Sequence, residues 1–292
     1  MTKTVLITGC STGLGRLTAR HFAAQGWNVV ATMRKPEPSL AAEFPDRILV
    51  EALDVADPAS VQAAVQAGVE RFGGLDAVVN NAGVTIVSIF EATPGNAIRR
   101  IFDTNVFGVM NVIQATVPRL RARGGGAIVN VSSGVGIAAV PLLSLYTASK
   151  QAVEGLSESL SYELESQNIR VKLVEPGAMR STSFTSTGMA ASQVAPVPEG
   201  YKSYFDHTLQ AMMDYPFPST EEQSVVEAIY RAATDPSPRL RYPVGPDVEE
   251  YARLRWSTSE DEYRAGMSKL MGHTAWREMG SDPSRTVPGV AR

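Results

Sequence analysis

The sequence predicts an α/β fold in which a doubly wound parallel sheet of about seven strands carries helices on both faces. Two observations support this fold class. Short apolar runs, typical of buried parallel strands, alternate along the chain with stretches that have apolar residues at helical spacing. A glycine-rich turn separates the first apolar run from the first helical stretch, as in a βαβ unit that binds a nucleotide. We expect residues 1–292 to form one such domain.

The composition is that of an ordinary globular protein and excludes several function classes. Of the 292 residues, 44% are hydrophobic and 20% are charged, and the net charge of −3 gives no reason to expect nucleic acid or an anionic membrane as a partner. The single cysteine, Cys10, excludes an internal disulfide and fits a reducing compartment. The three histidines are too scattered to predict a metal site. No apolar run has the length of a signal-peptide core or a membrane span, so we expect a cytoplasmic protein.

The first βαβ unit contains the predicted phosphate-binding turn. Its first strand covers Val5–Ile7, its helix runs from about Arg16 to Gln25, and its second strand covers Trp27–Thr32. The glycines between strand and helix follow the spacing G-x-x-x-G-x-G. Glycine lets the chain bend tightly there and lets backbone amides approach a pyrophosphate. The residues expected to contact the cofactor in this turn are Gly9, Ser11, Thr12, Gly13, Leu14 and Gly15.

The ends of the second and third strands bear on the choice of cofactor. An acid after the second strand would bind the adenine ribose hydroxyls of NAD, whereas an arginine accommodates the 2′-phosphate of NADP. The chain has Arg34 and Lys35 there, which favours NADP, and the hydroxyls in the glycine turn agree with it. A solvated basic turn would give the same pattern. The third strand, Arg47–Val55, ends with Asp54 and Val55, and Asp54 can hydrogen-bond an adenine amino group.

Three polar side chains near the middle of the chain predict proton chemistry. Tyr146 and Lys150 are four residues apart at the start of a helical pattern, which places both on one helix face. A free tyrosine has a pKa of about 10, so it needs a positive neighbour such as Lys150 to act as acid or base at neutral pH. Ser133 follows the apolar strand Ala127–Val131, which puts its hydroxyl at the ligand-binding edge of the sheet. The Tyr–Lys pair alone is also common on surface helices.

Two asparagine-containing stretches lie between the cofactor turn and these side chains. The fourth strand, Asp76–Asn80, is followed by small residues that let the backbone pass close to a flat ligand, and by an asparagine that can bridge strand ends. These residues are Asn81, Ala82 and Gly83. Asn105 lies in a long helix predicted from about Gly95 to Leu120, and taken alone it indicates a packing or kink feature.

In their order along the chain, these motifs resemble those of the short-chain dehydrogenase/reductase family. The resemblance rests on the glycine turn, the Asn-Asn-Ala-Gly stretch, Asn105, Ser133, the Tyr-x-x-x-Lys pair and Pro176-Gly177. It is close over residues 2–182 and implies a Rossmann-type domain that transfers a hydride between NADP(H) and a carbonyl or secondary alcohol.

The resemblance also implies a role for each site residue. Tyr146 would be the general acid or base, and Ser133 would hold the substrate oxygen. Lys150 would lower the pKa of the phenol and bind the nicotinamide ribose, and Asn105 would position a water molecule that links Lys150 to solvent. On the nicotinamide side, the expected contacts are Pro176, Gly177, Met179 and the hydroxyl of Ser181, which stands where the family usually has threonine.

The last third of the chain is expected to shape the substrate pocket. Residues 183–219 are rich in Ser, Thr, Met, Pro and aromatic residues and fall where the family carries its substrate lid. Such a lid suits a largely apolar substrate, although the same composition also fits helix packing. We further predict a helix over Thr220–Thr234 capped by Ser219 or Thr220, and an edge strand over Leu240–Gly245. A C-terminal extension, residues 246–292, would add helices over Asp247–Trp256 and Glu260–Met271.

Two alternatives to an NADP-dependent oxidoreductase stay open. The first has the same chemistry with NAD, oxidising a steroid-like or retinoid-like alcohol. The second is a non-catalytic nucleotide sensor, which would be expected to lack Tyr146, Lys150 or Ser133, and all three are present. The resemblance also implies a homodimer or homotetramer, because the family commonly pairs its two long central helices between subunits.

Overall fold

The computed structural model describes residues 2–179 and 196–280, and their strands form one parallel sheet. The strands are β1 (Thr4–Ile7), β2 (Asn28–Met33), β3 (Ile48–Ala52), β4 (Ala77–Asn80), β5 (Gly126–Val131), β6 (Ile169–Pro176) and β7 (Arg241–Val244). Their order across the sheet is β3-β2-β1-β4-β5-β6-β7, so the strand order reverses between β1 and β4. The predicted doubly wound fold is confirmed, and β7 lies at the predicted edge.

Helices cover both faces of the sheet. They are α1 (Gly13–Ala24), α2 (Ser39–Glu43), α3 (Pro58–Phe72), α4 (Gly95–Phe102), α5 (Gly108–Ala122), α6 (Gly134–Ile137), α7 (Ser144–Glu165), α8 (Lys202–Met213), α9 (Glu222–Thr234), α10 (Pro246–Ser257), α11 (Glu260–Leu270) and α12 (His273–Gly280). Alternate residues of β1 point to opposite faces. Val5 and Ile7 pack with α1 and α9, whereas Leu6 packs with α3, α5 and α7. None of the described helices is both long and apolar enough to span a membrane.

The predicted long helix from Gly95 to Leu120 is wrong in one respect. A turn of π-helix over Asp103–Phe107 separates α4 from α5, and Asn105 is buried within it. The wider turn occurs where the Asn105 side chain hydrogen-bonds the backbone of Val84 outside the helix. Asn105 is therefore buried at an irregular turn of the helix and packs against another segment.

The predicted start of the helix after the lid is also wrong. Helix α9 begins at Glu222, with Glu221 as its N-cap residue and no side-chain cap. Thr220 lies outside the helix because its backbone N–H donates to the carbonyl of Ala178, 2.9 Å away. A hydrogen bond to a distant residue thus takes the place of the predicted side-chain cap of α9.

Two of the C-terminal helices, α10 and α11, form a separate apolar cluster with α6. Tyr251 and Leu254 of α10 and Tyr263 and Met267 of α11 are buried against Ile137 of α6. Helix α6 leads directly into α7, so these helices pack against the element next to Tyr146. The predicted extension helices are confirmed to within a few residues.

Candidate active site

The glycine turn is shaped by close backbone approach between β1 and α1. Gly9 and Gly13 have φ angles of +74° and +52°, a left-handed conformation that disfavours other residues. A Cβ on Gly15 would lie 2.2 Å from the carbonyl oxygen of Gly9, so only glycine fits there. Helix α1 has no acid in its first turn, and Thr12, its N-cap residue, makes no side-chain cap. These features fit a pyrophosphate at the start of α1, because its free N–H groups attract an anion.

The carboxyl ends of β1 and β4 are tied together by Asn81. Its side-chain amide donates to the carbonyl oxygens of Thr8 (2.9 Å) and Gly9 (3.3 Å). In return, the Thr8 hydroxyl accepts the backbone N–H groups of Asn81 and Ala82, both at 3.0 Å. Asn81 thus bridges two strand ends as expected and fixes the glycine turn against the stretch that ends at Gly83.

Arg34 follows β2 directly, and Asp54 and Val55 lie two and three residues after β3, which ends at Ala52 rather than at the predicted Val55. Arg34 is exposed one residue after β2, and within the described parts of the chain its side chain makes no hydrogen bond or ion pair. Asp54 is exposed and accepts the backbone N–H of Ala56 at 3.0 Å. Val55 is buried, and a Cβ on Gly108 would lie 2.6 Å from its side chain.

Sequence reasoning missed an ion-pair cluster beside Arg34. Arg16, on α1, lies 3.7 Å from the carboxylate of Glu37 and 3.3 Å from that of Glu43. An acid, Glu37, therefore follows Arg34 by three residues, whereas none stands at the strand end itself. The signal was in the sequence, because Glu37 follows the basic pair closely.

Tyr146, Ser133 and Lys150 are brought together as predicted. Ser133 follows β5, and its side chain hydrogen-bonds the Tyr146 hydroxyl. Lys150 lies one turn after Tyr146 on α7, with Nζ 5.7 Å from the centre of the tyrosine ring. Its ammonium donates to the backbone carbonyl of Val131 at 2.8 Å. Tyr146 and Lys150 are both buried, at 8% and 6% exposure, so water screens their charges weakly.

The environment of the site shifts the pKa values of both Tyr146 and Lys150. Burial raises the pKa of Tyr146 to about 12, and the hydrogen bond from Ser133 opposes that shift. The Lys150 ammonium donates to the carbonyl of Val131, and the predicted lowering of the Tyr146 pKa by Lys150 stays a prediction. Burial lowers the pKa of Lys150 to about 8, and the charge of Glu154 opposes that shift. In this geometry Tyr146 is a protonated hydroxyl, suited to donating a proton.

Asn105 uses its side chain to hold the backbone beside Lys150. The Asn105 amide accepts the N–H of Val84 at 2.9 Å and donates to the Val84 carbonyl at 2.8 Å. It also donates to the Ser149 hydroxyl at 3.0 Å, so both amide hydrogens are used. A Cβ placed on Gly83 would lie 3.5 Å from Asn105 Oδ1 and 3.8 Å from Lys150 Nζ, so Gly83, Asn105 and Lys150 lie close together. The predicted water contact of Asn105 stays a prediction.

A second feature that sequence reasoning missed is a buried acid after Lys150. Glu154 lies one turn further along α7, is 7% exposed, and accepts a 3.2 Å hydrogen bond from Arg241 on β7. Burial raises the pKa of Glu154. The spacing of four residues puts Glu154 on the same helix face as Lys150, but the arginine that pairs with Glu154 comes from a distant strand.

The nicotinamide-side residues continue from β6. Pro176 is the last residue of that strand, and the Gly177 N–H donates to the carbonyl of Val244 at 2.8 Å. Met179 is partly buried against the core between the sheet, α1 and α9. Ser181, the predicted carboxamide contact, lies outside the described residues, as do residues 183–195 of the predicted lid.

The described part of the predicted lid packs in an apolar cluster, called the substrate wall below. Tyr204, Phe205 and Met212 of α8 contact Val87, Ile89 and Leu142. Leu142 has a φ of +61°, and its carbonyl accepts the N–H of Ser88 at 2.9 Å. The sequence left helix packing and a ligand wall as alternatives, and the aromatic and methionine side chains of α8 do pack.

A family model described as short chain dehydrogenase matches residues 3–191. The chain belongs to the short-chain dehydrogenase family. It is 36% identical to an uncharacterized oxidoreductase of Schizosaccharomyces pombe, over 82% of this chain and 100% of that protein. It is 34% identical to a 3-ketodihydrosphingosine reductase of Bacteroides thetaiotaomicron, over 84% of this chain and 88% of that protein. The chain is therefore an NAD(P)-dependent oxidoreductase of this family.

Solved structures of this family have the same architecture. A short-chain dehydrogenase from Streptomyces avermitilis matches with a TM-score of 0.79 and 32% identity, over 97% of this chain and 99% of that one. ElxO with NADP bound matches with a TM-score of 0.69 and 26% identity, over 83% and 98% of the two chains. A 3-ketoacyl-(acyl-carrier-protein) reductase from Brucella melitensis complexed with NADH matches with a TM-score of 0.69 and 27% identity, over 82% and 96%. The ElxO structure holds NADP and the Brucella melitensis reductase holds NADH.

Proposed function

We propose that this short-chain dehydrogenase interconverts a carbonyl compound and a secondary alcohol with NADP(H), using Tyr146 as the general acid or base. The observation that carries the proposal is the buried hydrogen bond between Ser133 and Tyr146, with Lys150 one helical turn away. Bound NADPH supplies the hydride, so the protein has to hold the substrate oxygen and deliver a proton to it. Ser133 and the Tyr146 hydroxyl are the two donors that converge on one point.

In the direction of reduction, each of the three residues has a separate task. Ser133 donates a hydrogen bond to the substrate oxygen and so fixes its position. Tyr146 transfers its hydroxyl proton to that oxygen as negative charge develops there. Lys150 carries positive charge beside the phenol and the expected ribose position, and Asn105 holds the backbone next to Lys150. In the direction of oxidation, Tyr146 takes the proton back.

The preference for NADP over NAD rests on Arg34. Its guanidinium is exposed at the end of β2, where a ribose 2′-phosphate would lie, and no acid of the described residues is hydrogen-bonded to it. We expect NADPH to bind more tightly than NADH, and Arg34→Ala to remove about tenfold or more of that preference. Fluorescence titration with both cofactors measures this, with Lys35→Ala as the matched control. Equal affinities in the unaltered protein would favour the NAD-dependent alternative, for which Glu37 is the candidate ribose ligand.

The substrate class follows from the walls of the site. Val87, Ile89 and Leu142 form an apolar cluster with α8, and Leu142 lies two residues before the helix of Tyr146, which favours a carbonyl group on a largely apolar molecule. Consumption of NADPH with a panel of ketones of increasing apolar size tests the activity, with deuterated NADPH to follow the hydride into the product. The proposal fails if no ketone or aldehyde accepts the deuterium.

The wider organisation is proposed on the same basis. Residues 1–292 would form one cofactor-binding domain, with a lid over 183–219 and an extension over 246–292. A homodimer or homotetramer would form through α5 and α7, and the exposed side chains of Phe107 and Tyr162 beside these helices support that surface. Light scattering of the purified protein measures the assembly. A cytoplasmic location stays a prediction.

A further inference from the structure

The C-terminal extension fixes the backbone that follows β6. The Ala178 N–H donates to Asp247 Oδ2 at 2.9 Å, and the Ala178 carbonyl accepts the N–H of Thr220 at 2.9 Å. One residue earlier, the N–H of Gly177 donates to the carbonyl of Val244. Hydrogen bonds therefore hold the backbone of both Gly177 and Ala178, and their partner residues lie 42 to 69 residues further along the chain.

Asp247 is the central group of this clamp. It lies in the first turn of α10 and is 3% exposed, and a carboxylate is stabilised at that end of a helix. A Cβ on Gly177 would lie 2.0 Å from Asp247 Oδ1 and 2.6 Å from the Thr220 hydroxyl. The carboxylate therefore fills the space that the missing side chain of Gly177 leaves. This contact explains why the position after Pro176 needs glycine.

The same helix also contacts the far end of the predicted lid. The hydroxyls of Tyr251 on α10 and Tyr215 are hydrogen-bonded. The negative charge of Asp247 raises the pKa of both phenols, in addition to the effect of burial. Helix α10 thus binds Ala178, which precedes the lid sequence, and Tyr215, which lies near its far end.

We propose that Asp247 is a positioning residue for the nicotinamide half of the cofactor. The inference rests on the proposed function, because it takes Pro176 and Gly177 to be the surface against which the nicotinamide lies. In this role Asp247 acts through the protein backbone rather than by direct contact with cofactor or substrate. It sets the position of the Gly177–Met179 backbone through the N–H of Ala178, and a displacement of about 1 Å at such a surface costs much of the rate of transfer. The C-terminal extension thereby acts on the cofactor site.

A comparison of the affinities of two ligands distinguishes this positioning role from a general effect on folding. NADPH would contact the Gly177 backbone with its nicotinamide, whereas adenosine 2′,5′-bisphosphate would occupy only the adenine end. In Asp247→Ala, we expect the Kd of NADPH to rise about tenfold, the value of one hydrogen bond, and that of the bisphosphate to change less than about twofold. Glu249→Ala removes an exposed acid from the same helix turn and is the matched control, with both Kd values unchanged.

Two further variants test whether position or charge is what matters. Asp247→Asn keeps an oxygen acceptor at the same reach, so we expect cofactor affinities within about twofold of the unaltered protein. Asp247→Glu keeps the charge but lengthens the side chain, so we expect the same selective loss as in the alanine variant. These two variants decide the question if the alanine variant does not fold.

The outcomes are distinct from those that test the proposed function. Equal losses for both ligands, no loss for either, or a loss in Asp247→Asn without one in Asp247→Glu would each overturn the positioning role. Failure of the bisphosphate to bind the unaltered protein would contradict the NADP preference alone. The same comparison made with NADH and ADP then tests Asp247.

Discussion

The cofactor edge and the substrate wall of this protein are held together by different forces. The cofactor edge, residues 8–15 and 80–83, is held by hydrogen bonds between backbone groups and the short side chains of Thr8 and Asn81. The substrate wall, formed by Val87, Ile89, Leu142 and α8, is held by apolar and aromatic contacts. The cofactor edge has a geometry that permits few changes, whereas apolar packing tolerates exchanges of similar volume.

This difference separates what is fixed from what can vary in such an enzyme. A cofactor that is the same for many reactions needs one backbone geometry, and hydrogen bonds of fixed length define it. Substrates differ in shape, and a wall of Val, Ile, Leu, Tyr and Met can change its shape without loss of the sheet. Tyr146 and Lys150 lie on α7, which begins two residues after Leu142 of the substrate wall, and Lys150 Nζ would lie 3.8 Å from a Cβ on Gly83 of the cofactor edge.

The largest effect is expected from Gly15→Ala at the cofactor edge. The new Cβ would lie 2.2 Å from the backbone oxygen of Gly9 and 2.5 Å from the Asn81 amide, neither of which can move freely. We expect cofactor binding to be lost and the free energy of unfolding to fall by about 1–3 kcal/mol. Denaturant unfolding and NADPH titration measure both. Gly26→Ala is the control for backbone strain alone, since Gly26 has a positive φ but open space around it.

A smaller and more selective effect is expected from Trp276→Ala at the substrate wall. Trp276 on α12 packs edge-on against Tyr204 of α8, with ring centres 5.3 Å apart. Loss of this contact should loosen α8, so we expect the KM for an apolar ketone to rise several-fold while the Kd of NADPH stays the same. Steady-state kinetics and cofactor titration test this. A parallel loss of NADPH affinity would show that the two regions are not independent.

The smallest effect is the change of activity with pH near neutrality. Burial lowers the pKa of Lys150 to about 8, so its positive charge is present below that pH and is lost above it. The pKa of Tyr146, raised to about 12, keeps the phenol protonated throughout this range. We therefore expect kcat/KM for reduction to be constant at lower pH and to decline above about pH 8. A flat profile from pH 6 to 10, measured at saturating NADPH, would exclude Lys150 as the charge that supports Tyr146.

The sequence was sufficient for the parts of the site that local patterns define. Apolar runs fixed the strands, and the spacing of Gly9, Gly13 and Gly15 and of Tyr146 and Lys150 placed these groups on their turn and helix face. The π-turn at Asn105 escaped prediction because its cause is a hydrogen bond to Val84, a residue 21 positions away. The direction of the Lys150 ammonium escaped because it depends on the Val131 carbonyl of another element.

The contacts of the C-terminal extension could not be predicted from the sequence, for the same physical reason. An acid such as Asp247 is common in the first turn of a helix, and the sequence pattern correctly predicts a helix there. Its role depends on Ala178, 69 residues earlier, and on the space beside Gly177. Spacing and periodicity describe neighbours along the chain, so they carry no information about such a pair.

The central claim is that Tyr146 transfers the proton while the cofactor edge binds NADPH independently. Tyr146→Phe removes only the hydroxyl, and single-turnover oxidation of bound NADPH by a ketone substrate measures its effect. We expect the rate to fall by about 10² to 10⁴-fold with an unchanged Kd for NADPH. A variant that keeps the full rate would contradict the mechanism, and one that loses NADPH binding equally would contradict the separation of the two regions.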